Sequence, residues 1–101
     1  MTGERIIQVV NFYGKILDRR HPQIRSLEFP ENQRIYFSES AELVIGHVRS
    51  MIPGIREFVE QGRIEKAFRW LGFVQCAFWG LGIFTLNELK NHNRPDISPP
   101  Q

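Results

Sequence analysis

Residues 66–84 read KAFRWLGFVQCAFWGLGIF, and this stretch decides the fold of the chain. It holds both tryptophans, four of the eight phenylalanines and the only cysteine, and only Lys66, Arg69 and Gln75 interrupt its apolar run. A helix that is apolar on nearly all sides is buried or spans a membrane. A span needs ~20 apolar residues and tolerates a polar centre such as Gln75 poorly. We therefore predict a buried helix and no membrane partner.

Small residues recur every fourth position along this stretch, at Gly72, Cys76 and Gly80, so they stack on one face of a helix. A ridge of small side chains allows a second helix to approach closely. Two Trp, two Tyr and eight Phe in 101 residues are also difficult to shield inside one small protomer. We predict a homo-oligomer, most simply a two-fold dimer, with Gly72, Cys76 and Gly80 at its interface.

Length and charge restrict the possible functions further. A chain of 101 residues predicts a single domain, and a net charge of +2 is too small to argue for nucleic acid by itself. One cysteine cannot form an internal disulfide framework. The first ten residues, MTGERIIQVV, lack the pattern of a signal peptide, so we expect a cytoplasmic location.

Helical spacing begins near the start of the chain, where Ile6, Val10, Tyr13 and Leu17 predict a first helix over Glu4–Arg20. Residues 5–13 also allow a strand, because IIQVV is rich in β-branched side chains. Residues 21–34 contain two prolines and predict an ordered surface arm, followed by a short extended piece at 34–37.

Two further helices are predicted on either side of Gly62, which punctuates the apolar pattern. The first runs from near Ser38 or Ser40 to Gln61, with a kink or break at Pro53, and the next runs over residues 63–80. So short a connection makes the two helices antiparallel neighbours, although one long helix through Gly62 is the alternative.

The sequence thus predicts an all-α fold, in which this antiparallel helical hairpin is flanked by an N-terminal helix and a short C-terminal helix. The last helix begins at Thr85, which forms a T-x-x-E capping box with Glu88, and stops before Pro95. Residues 1–95 form a single helical domain in this interpretation, and residues 96–101 a disordered tail.

Three cations, Arg63, Lys66 and Arg69, occupy the first two turns of the third helix, where they oppose the helix dipole. One interpretation is an anion site, since basic side chains and free N–H groups at a helix start bind phosphate. The other is local pairing with acids at the end of the second helix, Glu60 with Arg63 and Glu57 with Lys66. A second basic group has the same two interpretations, as a phosphate-tracking patch or a solvated helix end: Lys15, Arg19, Arg20, His21 and Arg25.

Catalytic and metal-binding motifs are not recognisable in this chain. His21, His47 and His92 lack the spacing of metal ligands, and no nucleophile, base and orienting group can be assembled from a motif. We predict a protein that is not an enzyme and that uses no metal and no cofactor. Gln75 needs a hydrogen-bond partner on another helix or across an oligomer axis if it is buried.

The segment from Glu65 to Asp96 contains RWLGFVQ at residues 69–75 and ELK at 88–90, then HNRP at 92–95. It resembles the C-terminal signature R-W-L-G-F-x-Q-G … E-L-K-x-H-N-R-P of small proteins encoded in phage and prophage genomes. Cys76 stands where that pattern usually has glycine. The resemblance covers about a third of the chain and implies a phage origin, and small phage proteins often act stoichiometrically by binding a host enzyme, a nucleic acid or a nucleotide.

We therefore expect a non-catalytic phage-type protein that binds a host protein, as a takeover factor or counter-defence inhibitor in the host cytoplasm. Aromatic and Arg side chains dominate interface energetics, which makes Arg69, Trp70, Phe73 and His47 the candidate partner-binding residues. The alternative is an anion-binding protein for nucleic acid or a phosphate-bearing nucleotide, using Arg63, Lys66 and Arg69. It is equally open that the homo-oligomer covers all of the aromatic residues.

Overall fold

The computed structural model describes residues 1–101 and contains four helices and no strand. They are α1 (Gly3–Arg20), α2 (Ala41–Glu60), α3 (Ile64–Gly80) and α4 (Leu86–Asn93). The predicted all-α class is confirmed, the strand alternative for residues 5–13 is wrong, and residues 34–37 form no strand. None of the four helices combines the length and the apolarity that crossing a membrane requires.

Local side chains define the helix ends. The Thr2 hydroxyl accepts a hydrogen bond from the Arg5 backbone N–H at 3.1 Å, and both bonds of the Thr85–Glu88 capping box are present. Gly62 has a φ of 76°, a left-handed conformation that ends α2. The single helix through Gly62 is therefore wrong, whereas α2 continues through Pro53 without a break.

The hydrophobic core lies between α1, α2 and α3 and is completed by residues of the C-terminal segment. The stripe predicted on α1 is buried, since Ile6, Val10, Tyr13 and Leu17 are all 0% exposed. α1, α2 and α3 all contact one another, and α1 also contacts α4. Aromatic rings of α2 and α3 meet at two places, where Trp70 packs against Phe58 and Phe73 packs against His47.

Only one side of α3 is buried, contrary to the expectation for a helix that is apolar all round. Ala67, Leu71, Val74, Ala77 and Phe78 face the core. The opposite side leaves large apolar side chains exposed: Phe68, Phe73 and Trp79. The ridge of small residues lies on this exposed side, where a Cβ on Gly72 would meet nothing within 4 Å and Cys76 is exposed.

The surface arm predicted at residues 21–34 extends to residue 40, since residues 21–40 contain no helix. One end is held on α2, where the Leu27 N–H donates to the Gly46 carbonyl at 3.0 Å. Gly46 is needed at this approach, since an added Cβ would lie 3.0 Å from both the Arg25 carbonyl and the Leu27 side chain. The other end reaches α3, where the Phe37 ring lies 3.3 Å from the Cβ position of Gly80. The arm therefore crosses from α2 to the small-residue ridge.

A buried polar cluster attaches α4 to α1 and α3. The Gln75 side-chain amide donates to Asn93 Oδ1 at 2.7 Å and accepts from Asn93 Nδ2 at 3.0 Å, and it also donates to the Tyr13 hydroxyl at 3.1 Å. The hydrogen-bond partner predicted for Gln75 thus lies on other helices of the same chain. Burial raises the pKa of Tyr13 above its ordinary value, so the hydroxyl keeps its proton. The hydroxyl oxygen lies 2.8 Å from His92 Nδ1.

The guanidinium of Arg5 covers the C-terminal end of α4. Arg5 is 8% exposed and donates to the carbonyls of His92 at 2.8 Å, Asn91 at 3.3 Å and Ile97 at 2.7 Å. A cation satisfies the free carbonyls and complements the dipole at a helix C-terminus. The contact reaches Ile97 in the tail, and the disorder of residues 96–101 stays a prediction.

Candidate functional site

An open groove of about 880 Å³ lies between the arm, α2 and α3. We call it the arm groove. The arm supplies one wall with residues between Glu28 and Phe37, and α2 and α3 supply the floor and the other wall with Val44, His47, Ser50, Met51, Trp70, Phe73, Cys76 and Ala77. Most of the lining residues are hydrophobic. Clefts of this size and character are typical of ligand and peptide sites.

Aromatic rings are held in defined positions along the arm groove. His47 lies between Phe29 of the arm and Phe73 of α3, with ring centroids 6.3 and 5.9 Å away and both pairs edge-on. Trp70 packs edge-on against Phe58 at 4.8 Å, and its indole lies over Gly54, where a Cβ would come within 3.1 Å. The absence of a side chain at Gly54 therefore determines how deeply Trp70 sits against α2.

The polar atoms of the arm groove are few, and one of them is unsatisfied. Nδ1 of His47 is buried and has no hydrogen-bond partner. The Ser50 hydroxyl donates to the His47 backbone carbonyl at 2.5 Å, so it does not satisfy the imidazole. A buried polar atom without a partner costs about 1–3 kcal/mol.

The arm groove is acidic although the protein carries a net charge of +2. Glu28 and Glu31 line it, and no Lys or Arg does. Neither carboxylate takes part in a salt bridge, since the three ion pairs of the chain are Arg49–Asp18, Arg69–Glu65 and Arg94–Asp96. An anionic ligand is therefore disfavoured at this groove.

Three of the four predicted partner-binding residues meet here. His47, Trp70 and Phe73 line the arm groove together with Cys76, which was predicted for the oligomer interface. Arg69 does not line it: its exposed guanidinium pairs with Glu65 at 3.1 Å one helical turn away. The structure thus brings His47, Trp70 and Phe73 to one groove and leaves Arg69 outside it.

The predicted anion-binding residues occupy a different surface. The cationic groups of Arg63 and Lys66 lie over the Phe58 ring, 5.1 and 4.8 Å from its centroid. Neither pairs with an acid of α2, so the predicted pairs Glu60–Arg63 and Glu57–Lys66 are absent. The ring satisfies these cations by cation–π contact instead.

The predicted surface arm at residues 21–34 carried no candidate partner-binding residue, although the arm forms one wall of the groove. Glu28, Phe29, Glu31, Ile35 and Phe37 all line the groove. Their apolar content was the available indication, because a connector that only crosses solvent has little reason to carry Phe29, Ile35, Tyr36 and Phe37 within nine residues.

No cluster of three or more His, Cys, Asp or Glu side chains is placed to hold a metal ion. Comparison of the chain with protein-family models, with curated proteins and with solved structures gives no match. We therefore infer the function of the chain from the geometry of the arm groove and from the residues that line it.

Proposed function

We propose that this chain is a non-catalytic, phage-type protein that binds a host protein through the arm groove and thereby blocks or redirects it. The observation that carries the proposal is the convergence of His47, Trp70 and Phe73 with the arm on one open, apolar groove of about 880 Å³. Residues of α2 and α3 support the site, and the arm forms one of its walls.

The residue types at the groove favour a protein partner. Aromatic side chains are enriched among the residues that contribute most to protein–protein affinity, and they act where a partner can bury them completely. Phe73 is 55% exposed although it stands beside the buried side of α3. A partner that covers Phe73 removes a large apolar surface from water, which is the main favourable term in association.

Binding is a better account of the groove than catalysis. The Ser50 hydroxyl directs its proton to a backbone carbonyl and not to a base. The exposed Cys76 thiol has no hydrogen bond to an imidazole, and His47 Nδ1 has no partner at all. A nucleophile activated by an adjacent base, which covalent catalysis needs, is therefore not assembled in the groove.

A homo-oligomer remains part of the proposal. The exposed side of α3 presents Gly72, where a Cβ would meet nothing within 4 Å, beside the exposed rings of Phe68 and Trp79, whereas Phe37 of the arm covers Gly80. Small residues between large apolar ones allow close helix packing, and Phe68 and Trp79 do not line the arm groove. A second copy on this side would leave most of the groove accessible.

One observation favours the second candidate function, an anion-binding protein for nucleic acid or a phosphate-bearing nucleotide. Arg63 and Lys66 lack an acidic partner and lie together over Phe58 at the start of α3. Phosphate-driven binding to duplex DNA falls with salt at a log–log slope of about −0.9 per neutralised phosphate. A Lys66→Ala variant tested across salt concentrations separates this function from the groove.

The test of the main proposal is a pull-down from host lysate with the wild-type chain and two matched variants. Phe73→Ala removes an exposed ring of the groove, and Phe68→Ala removes an exposed ring of α3 outside it. A central interface aromatic contributes about 2 kcal/mol or more, so Phe73→Ala should weaken capture of the host protein about 30-fold or more. Phe68→Ala should leave it unchanged.

If Phe68→Ala weakens capture and Phe73→Ala does not, the contact lies on the outer side of α3. Equal capture by all three chains would show that the arm groove is not the binding site. Arg69→Ala, assayed in parallel, tests whether the contact extends beyond the groove, as the sequence predicts.

A further inference from the structure

The chemistry of the arm groove also restricts what it binds. This inference rests on the proposed function, and it concerns the class of partner segment. We infer that the arm groove binds a short peptide segment that carries large apolar side chains next to a Lys or Arg.

The charge of the arm groove favours a basic side chain in the partner. Glu28 and Glu31 are the only formally charged residues in the lining, and both stand on the arm wall without an ionic partner. The rest of the chain carries a net positive charge, so the arm wall is a local region of negative charge. Complementary potentials steer association and select partners, and a basic side chain is the complement of two unpaired carboxylates.

The lining of the arm groove combines apolar surface with a few polar side chains. Trp70 and Phe73 provide apolar contact area, which suits Leu, Ile, Met or aromatic side chains. Gln33, an exposed arm residue with a polar side-chain amide, lines the groove as well. A peptide backbone carries N–H and C=O groups along its length and can pair with such an amide, whereas a hydrocarbon ligand cannot.

The shape of the arm groove favours a short peptide segment. One wall is a segment without helix, held on α2 at Leu27 and reaching Gly80 through Phe37. A segment fixed at its ends can adjust between them more easily than a packed helix. The groove is open and about 880 Å³ in volume, which suits a few residues of an extended or turning peptide and not a whole helix face.

The test pans a random twelve-residue peptide library against the immobilised full-length chain. We expect enriched peptides to combine at least two large apolar residues with an adjacent Lys or Arg. One enriched peptide is then synthesised, labelled and measured by fluorescence anisotropy against wild type, Phe73→Ala and the double variant Glu28→Gln/Glu31→Gln. The matched control is Glu39→Gln/Glu42→Gln, which removes two exposed carboxylates outside the groove.

Exposed ion pairs are weak, so Glu28→Gln/Glu31→Gln should weaken binding about 2- to 30-fold and flatten its salt dependence. The control should bind like wild type, and Phe73→Ala should weaken binding at least about tenfold. Circular dichroism of each variant checks the helical fold.

Failure of this inference differs from failure of the proposed function. If Phe73→Ala loses the peptide but the enriched peptides lack basic residues, or Glu28→Gln/Glu31→Gln binds normally, the inference is overturned and the groove remains a binding site. If no peptide is enriched, the inference is overturned and the pull-down alone decides the proposed function. If Phe73→Ala binds the enriched peptide normally and also captures the host protein normally, both are overturned. If light scattering shows that Phe73→Ala dissociates an oligomer, the groove is occupied by a second copy, and the inference is likewise overturned.

Discussion

The amide pair between Gln75 on α3 and Asn93 on α4 offers a quantitative test of how the C-terminal helix is held. Gln75→Leu removes three hydrogen bonds, two to Asn93 and one to the Tyr13 hydroxyl. Asn93→Ala removes only the two that the amides share. A hydrogen bond of this kind contributes about 1 kcal/mol net. The single variants should therefore lower the free energy of unfolding by about 3 and about 2 kcal/mol.

The double variant makes the prediction specific. It loses the same three hydrogen bonds as Gln75→Leu, because the two shared bonds cannot be lost twice. Its expected destabilisation is thus about 3 kcal/mol, and not the sum of about 5 kcal/mol, which gives a coupling energy of about 2 kcal/mol. The wild-type Asn93 is only half-buried, and water access in the variants reduces the coupling somewhat.

The assay is urea unfolding of the four chains, followed by circular dichroism and fitted with a linear dependence on urea. Asn87→Ala is the matched control: Asn87 is an exposed asparagine of α4 with no side-chain hydrogen bond, and its replacement should change stability by less than about 0.5 kcal/mol. A coupling energy below about 0.5 kcal/mol would refute the reasoning, because additive effects mean that the two amides do not share their hydrogen bonds.

Two further predictions concern the same end of the molecule. Thr85→Ala removes one hydroxyl of the capping box and should cost about 0.5–2 kcal/mol in urea unfolding, with Thr85→Ser as a control that keeps the bond; equal stability of all three chains would contradict it. Burial lowers the pKa of His92 in the folded chain below its ordinary value of 6.5. As the pH drops below about 6.5, His92 therefore binds a proton more readily in the unfolded chain than in the folded one, and the free energy of unfolding should fall. In His92→Asn, which keeps an acceptor for Tyr13 but does not titrate, unfolding measured from pH 8 to pH 5 should show a flatter profile, and an unchanged profile would assign the pH dependence to other groups.

The sequence by itself determined those parts of the fold that depend on near neighbours in the chain. The apolar spacing of residues 6–17, the hydroxyl of Thr2, the capping box at Thr85 and the left-handed Gly62 all act within one or two helical turns. Such interactions are decided by local sequence, which is why the all-α class and the helix ends were predictable. The aromatic side chains of the candidate site could be named for a similar reason, since interface residues are recognisable by type.

Only the tertiary structure decided which side of α3 is buried and what stands beside it. Because α3 is apolar all round, periodicity gives no preference for a core side, and packing against α1 and α2 left Phe73 exposed at the groove and Gly72 open. Arg5 contacts the end of α4 from 87 positions away in the chain, and Phe37 reaches Gly80 across the arm. Contacts between residues so far apart depend on how whole helices pack against each other. No local pattern encodes these long-range contacts. They leave Arg69 outside the groove and make the arm one of its walls.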